Sequence, residues 1–462
     1  MQKKYITHLN NWFLDKIRKP LVLRGARQVG KSTLVRQFAR ERKLNFYEIN
    51  LEKAPLLDEA FATLQVHKII ARLESHLQRE IVISENSLLF LDEIQAAPHA
   101  LAALRYFYEE LPAIGVIAAG SLLEFVLAEH EFSMPVGRIE YLHMQPVSFG
   151  DFLRASGQDF VADKIRDLDF DETLTPELHA KCLELYDTYR FVGGMPEAVA
   201  AYINNPRSEV RIRNIQNQII NTYQDDFMKY ARKSKLHTLR TVYKKIPSQI
   251  GEKISYANLS REDRAINVRQ SVKMLEYARV IRCTYNTTAS KIPIAALADF
   301  EFYKMYWLDI GLLNRLLKLP MHLDDINRDV LDSGPIAEQF VAQHLPSLHE
   351  PSEEPELFYW QRKDKTDGAE VDFVVQYETD IVPIEVKAGT SGSLRSLHQF
   401  MATHPCRFAV KLSSQMPSLN PVTHSVSING KTKKVSFILA NVPIYSVESL
   451  PRIILQIRSR FQ

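Results

Sequence analysis

The sequence predicts an α/β protein that begins with a parallel sheet, continues with helices and ends with a second α/β domain. Through about residue 150, short apolar runs alternate with segments of helical periodicity, the pattern of a parallel sheet whose strands are joined by helices. Apolar runs of strand length return after about residue 334. The chain has 462 residues, 45% of them hydrophobic and 24% charged, which is a globular composition in a chain too long for one core.

The first predicted strand, residues 20–24, leads into a phosphate-binding loop of the pattern G-x-x-x-x-G-K-[ST] and then into a predicted helix over residues 32–40. The loop needs glycine because its backbone must turn tightly and bring N–H groups onto phosphate oxygens. Lys31 is expected to neutralise the β- and γ-phosphates of ATP, and the Ser32 hydroxyl to bind Mg²⁺. The alternative is a glycine-rich turn that only starts a helix. The residues assigned to ATP are Gly25, Ala26, Arg27, Gln28, Val29, Gly30, Lys31, Ser32 and Thr33.

A second motif, sixty residues after Ser32, completes the predicted nucleotide site. Residues 87–91 are apolar and are followed by Asp92 and Glu93, as in strands that carry a magnesium-binding carboxylate. Asp92 is expected to hold the Mg²⁺ water shell. Glu93, beside the metal, is expected to act as the base that polarises the attacking water. Taken alone, such a run also occurs at solvated strand ends.

Two further residues are candidates for contact with the γ-phosphate. Ser121 follows the apolar run 115–119 and Gly120, and is either a sensor of the phosphate, the cap of a helix over residues 122–127, or both. Arg138 precedes another predicted strand. It could reach a phosphate of its own chain or of a neighbouring subunit, or it could be a surface arginine.

Composition excludes several classes of protein. The formal net charge is only +3, so global charge gives no argument for nucleic acid. The cysteines at positions 182, 283 and 406 lack the spacing of metal sites or disulfide frameworks, and are expected to be reduced thiols. No apolar run approaches the ~20 residues of a membrane span, so no membrane contact is expected and a cytoplasmic location is predicted.

The middle of the chain is locally basic. Between positions 237 and 290 there are ten Lys or Arg residues against four Asp or Glu residues, an excess suited to a phosphate backbone. Helical runs at 238–250 and 266–280 flank a polar turn, and residues 281–285 could begin a wing, as in a winged helix. DNA is therefore a candidate partner, with a solvated face or a protein contact as the alternative. Residues expected on or near the recognition helix are Asn267, Arg269, Gln270 and Lys273.

The carboxyl-terminal strands carry a second set of candidate catalytic residues. Asp372 lies in one predicted strand, and Glu385 and Lys387 lie thirteen and fifteen residues later on one side of the next. Two carboxylates that share a Mg²⁺, with a lysine that polarises water or steadies the transition state, are the parts required for phosphodiester cleavage. Glu338 precedes them in a predicted helix. The alternative is a structural salt-bridge cluster, or a domain that binds DNA without cutting it.

Taken together, these residues resemble the prokaryotic AAA-superfamily ATPases that carry a nuclease-like carboxyl-terminal domain. The resemblance implies a winged-helix-like segment and a restriction-endonuclease-like, PD-(D/E)XK fold, in which Glu338, Asp372, Glu385 and Lys387 correspond to the active-site residues. The segments that carry the resemblance are 25–32, 91–95, 119–121, 146–149 and 193–197.

The expected domains are an ATPase core over 1–150, a helical lid over 151–232, a winged-helix-like domain over 233–330 and a nuclease-like domain over 331–462. The predicted function is Mg²⁺-dependent ATP hydrolysis coupled to action on DNA. The alternative is a slow nucleotide-dependent switch or scaffold whose carboxyl-terminal domain binds a partner without catalysis. A homo-oligomer or a protein partner is compatible with both.

Overall fold

The computed structural model of the protein describes residues 3–121, 137–171, 174–230, 233–319, 333–362, 368–389, 393–428 and 430–460. Two compact units divide the chain. The first comprises Met1–Pro146 with the short segments Lys273–Val280 and Glu350–Glu354, and the second comprises the remainder. Within the described ranges, none of the helices has the length and apolar character needed to cross a membrane.

The first unit is built on a five-stranded parallel sheet with the order β2-β3-β4-β1-β5. The strands predicted from apolar runs are all present, which confirms the predicted fold class. The strands are β1 Leu21–Arg24, β2 Asn45–Asn50, β3 Ser87–Asp92, β4 Gly115–Ala119 and β5 Glu140–His143. The described helices are α1 Lys3–Leu14, α2 Lys31–Glu41, α3 Leu57–Ala62, α4 Val66–Leu77 and α5 Pro98–Glu110.

Apolar side chains hold this sheet between its helices. The central strand β3 is buried along its whole length, as expected for a parallel strand covered on both faces. Phe61, Leu73 and Phe107 come from three different helices and join the core cluster beside Leu89 and Leu91. Because its strands are parallel, their carboxyl ends, and the loops that follow them, meet at one edge.

From residue 147 onward the chain forms a series of helices and a second sheet. The helices are α6 Phe149–Ala155, α7 Asp159–Arg166, α8 Pro176–Val192, α9 Pro196–Asn204, α10 Glu209–Tyr230, α11 Lys233–Lys245, α12 Tyr256–Leu259, α13 Ala265–Tyr277, α14 Ile310–Leu316, α15 Gly334–His344, α16 Arg395–Thr403 and α17 Leu450–Ser459. The strands are β6 Ile281–Thr287, β7 Ala298–Trp307, β8 Leu357–Gln361, β9 Glu370–Tyr377, β10 Asp380–Val386, β11 Phe408–Ser413, β12 Ser418–Ile428 and β13 Lys431–Pro443.

The second sheet has eight strands in the order β12-β13-β11-β10-β9-β8-β6-β7. Strands β6 and β7 form an antiparallel hairpin, whose first strand contains the residues 281–285 that were expected to begin a wing, and β6 pairs in parallel with β8. One sheet therefore crosses the domain boundary expected near residue 330, because the hairpin finds its next hydrogen-bonding partner in the carboxyl-terminal region.

The helices expected to form a lid share a core with the carboxyl-terminal region. Tyr186 and Tyr189 of α8 pack on Phe340 of α15, with ring centroids 4.7 and 5.9 Å apart. Phe149 of α6 packs on the same ring at 6.1 Å. Aromatic rings packed edge to face contribute more than their buried area alone. The helices expected to form a lid therefore share aromatic contacts with the carboxyl-terminal region.

Two of the motifs noted in the sequence stabilise this helical region. Ser148 caps α6 by accepting the Asp151 N–H at 3.3 Å, and its hydroxyl donates to the half-buried Glu448 at 2.7 Å. The Gly193-Gly194 pair meets Asp309, which accepts the Gly194 N–H at 2.5 Å and the Leu312 N–H at 3.0 Å. Both motifs therefore satisfy backbone groups that would otherwise be buried without a partner.

Candidate nucleotide and carboxylate sites

The phosphate-binding loop joins β1 to α2, as predicted. Gly25 has a φ of 155° and Gly30 a φ of 96°, values at which a β-carbon is disfavoured. A β-carbon at Gly25 would lie 2.7 Å from the Met144 carbonyl oxygen. Gln28 also has a positive φ, 65°. The loop therefore has the strained, compact backbone of an anion-binding turn at the start of a helix.

The side chains of this loop divide into a buried and an exposed group. Ala26 and Val29 are buried in the core, Arg27 is half-buried, and Gln28 and Thr33 are exposed. None of these side chains is required to bind phosphate, because the backbone N–H groups of the loop are the expected ligands.

Lys31 lies over the loop and is only 8% exposed. Its Nζ donates to the carbonyl oxygens of Gly25 and Ala26, at 2.9 and 2.8 Å. These contacts hold the ammonium group at the start of α2, where a helix also favours negative charge. A triphosphate bound to the loop would meet a fixed positive charge there.

Ser32 and Asp92 come together at the carboxyl edge of the sheet. The Ser32 hydroxyl contacts both carboxylate oxygens of Asp92, at 3.0 and 2.9 Å. Burial raises the pKa of Asp92, and the hydrogen bond from Ser32 partly offsets that effect. A hydroxyl and a carboxylate are oxygen ligands of the type Mg²⁺ prefers, so this donor pair fits the ion predicted from the sequence.

Glu93 follows Asp92 and is held by an amide that the motif also contains. Glu93 has a positive φ of 53°, and its Oε2 accepts the Gln95 Nε2–H at 2.5 Å. The other amide atom, Gln95 Oε1, is buried and has no hydrogen-bond partner among the described residues. A β-carbon at Gly120 would lie 2.6 Å from that oxygen. Glycine at position 120 therefore leaves room for the amide that positions Glu93.

Ser121 lies at the same edge of the sheet as Asp92. Ala119 is the partner of Asp92 in the pairing of β4 with β3, so Ser121 is two residues beyond that level. Its hydroxyl is buried and, among the described residues, has no hydrogen-bond partner. The helix that Ser121 was expected to cap, residues 122–127, lies outside the described residues. Both roles expected for Ser121, as a phosphate sensor and as a helix cap, therefore stay predictions.

Arg138 lies at the opposite edge of the sheet. It precedes β5, whose first residue, Glu140, pairs with Leu21 at the start of β1, whereas the phosphate-binding loop follows the end of β1. Arg138 also pairs with Glu109 at 3.0 Å. Arg138 and the phosphate-binding loop thus lie at opposite ends of β1, and contact with a phosphate of the same chain or of a neighbouring subunit stays a prediction.

The predicted carboxylate site of the second unit is assembled by β9 and β10. These strands are antiparallel, with Phe373 opposite Ile384, so Asp372 and Glu385 are neighbours. The Asp372 carboxylate accepts the Val386 N–H at 2.7 Å, and the Glu385 Oε1 accepts from Lys387 Nζ at 2.6 Å. Glu385 is only 4% exposed, and its other oxygen, Oε2, is buried and has no partner among the described residues.

This arrangement concentrates negative charge in a buried place. Burial, together with the Glu385 carboxylate, raises the pKa of Asp372 to about 7. Burial also raises the pKa of Glu385, and the neighbouring Lys387 opposes that rise. A divalent cation would relieve the repulsion and would give Glu385 Oε2 a partner. The two carboxylates therefore fit Mg²⁺, the ion that the sequence led us to expect at this site.

Glu338 of α15 joins the same cluster, as expected from the sequence. It accepts the Tyr306 hydroxyl at 2.7 Å, and Lys304 Nζ lies 3.4 Å from the same oxygen. Lys304 also pairs with Glu370. Burial, and then the charge of Asp372, raises the pKa of Glu338 to about 7.

Three members of this cluster escaped the sequence analysis: Lys304, Tyr306 and Glu370. The available signal was a lysine inside the otherwise apolar and aromatic strand 303–307, because a lysine that is fully buried almost always has a partner. Within the described ranges, no group of three or more His, Cys, Asp or Glu side chains is placed to hold a metal ion. A metal at this site would therefore rest on two carboxylates and on oxygens from outside the protein, which is common for Mg²⁺.

The basic middle segment is partly neutralised by intramolecular contacts. Arg269 pairs with Glu301 of β7 at 2.7 Å, and Gln270 accepts from Lys235 at 2.7 Å. Asn267 is half-buried, and Lys273 is exposed. Of the four residues expected on the recognition helix, two are therefore held by neighbouring elements.

Comparison with known proteins agrees with the geometry of the amino-terminal site. Residues 17–153 match the model of a family described as an AAA domain. The first unit contains an AAA-type P-loop domain. Residues 183–323 and 333–430 match two further family models, each described as a domain of unknown function. No curated protein sequence matches the chain.

Three solved structures to which the chain is similar are distant from it in sequence. A Walker-type ATPase of Pyrococcus abyssi is 16% identical, with 69% of this chain and 95% of that chain covered and a TM-score of 0.43. The ORC2 protein of Aeropyrum pernix is 14% identical, with 68% and 91% covered and a TM-score of 0.38. The RuvB Holliday junction branch migration motor of Thermotoga maritima is 16% identical, with 61% and 88% covered and a TM-score of 0.26.

The AAA domain thus brings together the loop and the two short motifs from which the nucleotide site was predicted. Its loop, its lysine, and its serine and aspartate pair lie at one edge of the sheet, with Glu93 next to them. The structure also gives Gln95 a role, because its amide holds the Glu93 carboxylate. In the sequence this residue stands out only as the last member of segment 91–95.

Proposed function

We propose that the chain is a Mg²⁺-dependent ATPase that acts on DNA through a nuclease-like site in its second unit. The ATPase part is supported above all by the contact between Ser32 and both oxygens of Asp92, beside the buried ammonium of Lys31. A phosphate loop, a magnesium pair and an adjacent carboxylate are the parts that ATP hydrolysis requires.

In this proposal the residues of the nucleotide site have separate roles. The loop backbone and Lys31 bind the β- and γ-phosphates, and Ser32 and Asp92 hold Mg²⁺, which neutralises charge that develops on the phosphates. Glu93 accepts a proton from the attacking water, and the amide of Gln95 fixes its carboxylate. Ser121 is the proposed contact to the γ-phosphate from the neighbouring strand.

A turnover assay with two variants tests the ATPase part. Lys31→Ala is expected to abolish ATP binding, whereas Glu93→Gln is expected to bind ATP and to hydrolyse it at least about 100-fold more slowly, because only the proton acceptor is lost. Lys53→Ala is the control, since Lys53 is an exposed lysine outside the loop. Wild-type hydrolysis by both of the first two variants would contradict the proposal.

The DNA-acting part rests on the carboxylate site. Asp372 and Glu385 are the proposed Mg²⁺ ligands, supported by the unpartnered Glu385 Oε2. Lys387, hydrogen-bonded to Glu385, is the proposed group that stabilises negative charge on the cleaved phosphodiester. The basic segment between positions 237 and 290 is proposed to form a winged helix and to be the surface that contacts the DNA backbone.

Cleavage of a labelled duplex with Mg²⁺ tests this part separately. Asp372→Asn and Glu385→Gln are expected to lose cleavage and to keep ATP turnover, because neither residue belongs to the AAA domain. Glu378→Gln is the control, since Glu378 is an exposed carboxylate in the turn between β9 and β10. An intact duplex under every metal condition, with ATP turnover unaffected by DNA, would favour the nucleotide-dependent switch instead.

A further inference from the structure

Lys304 is the most deeply enclosed charge of the carboxylate site. It is 2% exposed. It extends from β7 of the β6–β7 hairpin, whereas Asp372 and Glu385 lie in β9 and β10. Its ammonium group pairs with Glu370, lies 3.4 Å from Glu338 and is 5.6 Å from the centre of the Tyr359 ring. The lysine is therefore fixed from several sides.

The contacts of Lys304 divide the carboxylates into two groups. Glu338 is engaged by Lys304 and by the Tyr306 hydroxyl. Glu370 is engaged by Lys304 and, at 3.1 Å, by Lys253. By contrast, Glu385 keeps an oxygen with no partner among the described residues. Asp372 and Glu385 form the second group, with which Lys304 makes no ion pair among the described residues.

We infer that Lys304 is a built-in cation that takes the place of a second divalent metal ion, so that this site binds one ion, through Asp372 and Glu385. The inference rests on the proposed function of the site. It adds the number of metal ions and a role for Lys304, which positions Glu338 and Glu370 and keeps them from acting as metal ligands.

Counting bound Mn²⁺ in the full-length, nucleotide-free protein tests this inference. Mn²⁺ is the probe because its free form is measured directly by electron paramagnetic resonance, and because the nucleotide site lacks its phosphate ligands under these conditions. The wild-type protein is expected to bind one ion, and Lys304→Met to bind two. Lys253→Met is the matched control and is expected to bind one, since Glu370 keeps its contact with the buried lysine.

The outcomes separate this inference from the proposed function. No bound ion in the wild type would contradict the metal site itself. Two ions in the wild type, or one ion at unchanged affinity in Lys304→Met, would contradict only the role of Lys304.

A second variant decides the question if Lys304→Met does not fold. Glu338→Gln leaves Lys304 in place, and it is expected to bind one ion at wild-type affinity, because Glu338 is not a ligand. A loss of Mn²⁺ affinity of about tenfold or more in Glu338→Gln would show that Glu338 binds the metal, and the inference would fail.

Discussion

The turn at Gly193 offers a prediction whose size follows from the geometry. Gly193 ends α8 with φ 74° and ψ −173°, a region that is essentially restricted to glycine. A β-carbon there would lie 2.9 Å from Asp309 Cγ and closer still to Oδ1. Gly193→Ala therefore combines backbone strain with the displacement of a buried carboxylate.

The two costs can be added. Backbone strain in this region costs about 1–3 kcal/mol. Displacing Asp309 would leave the Gly194 and Leu312 N–H groups without their acceptor, and a buried donor without a partner costs about 1–3 kcal/mol. With one strain term and two unpartnered donors, we therefore expect Gly193→Ala to lower the free energy of opening of this region by about 3–9 kcal/mol.

Hydrogen exchange measured by mass spectrometry is the suitable assay, because a chain of two units does not unfold in one step. The control is Gly157→Ala: Gly157 has a φ of 75°, yet a β-carbon there meets nothing within 4 Å. That variant is expected to lose only about 1–2 kcal/mol, the cost of a left-handed conformation.

A double-mutant cycle then isolates the clash. In the background of Asp309→Ala, the additional cost of Gly193→Ala is expected to fall to the strain alone, since the carboxylate is gone. The reasoning is refuted if Gly193→Ala costs no more than Gly157→Ala, or if its cost is the same with and without Asp309.

Three further outcomes are expected. Gly120→Ala should lower kcat for ATP about 10- to 100-fold at unchanged nucleotide affinity, because its β-carbon would displace the Gln95 amide from Glu93; steady-state turnover and nucleotide titration measure both. Ser32→Ala should raise the Mg²⁺ concentration at half-maximal ATP turnover about tenfold or more, and an unchanged Mg²⁺ dependence would exclude Ser32 as a ligand. Mn²⁺ affinity at the carboxylate site should fall as pH decreases through about 7, because the raised pKa of Asp372 lets protons compete with the metal; calorimetry at several pH values tests this.

The nucleotide site could be predicted from the sequence because its parts lie within short motifs. The loop at 25–32 and the strand ending at Asp92 each contain their own glycine pattern or apolar run, and the order of parallel strands brings them to one edge. Arg138, by contrast, lies outside these two motifs. Its position relative to the phosphates depends on the direction of β5, which the motif itself does not contain.

The carboxylate site was only partly predictable for the opposite reason. Asp372, Glu385 and Lys387 form a local pattern, whereas Lys304 reaches them through the pairing of β6 with β8, a contact between distant parts of the sequence. Likewise, the structural role of Gly193 and Gly194 could not be predicted from the sequence. Their partner, Asp309, lies 115 residues beyond Gly194, and no periodicity connects them.

The long hairpin of β12 and β13 was not predicted at all. Residues 418–428 are largely polar and mostly exposed or half-buried, so they lack the apolar run by which strands are usually found. The hairpin is held instead by its pairing with β11 and by contact with α16.

The parallel pairing of β6 with β8 also has a consequence for synthesis of the chain. The hairpin is complete at Trp307, the end of β7, and β8 begins at Leu357, fifty residues later. At about 5–20 residues per second, the ribosome needs roughly 3–10 s to supply that partner strand. For that time the nascent hairpin presents an open strand edge that can pair with another chain. Delays in translation between these positions are therefore expected to increase aggregation of the newborn protein.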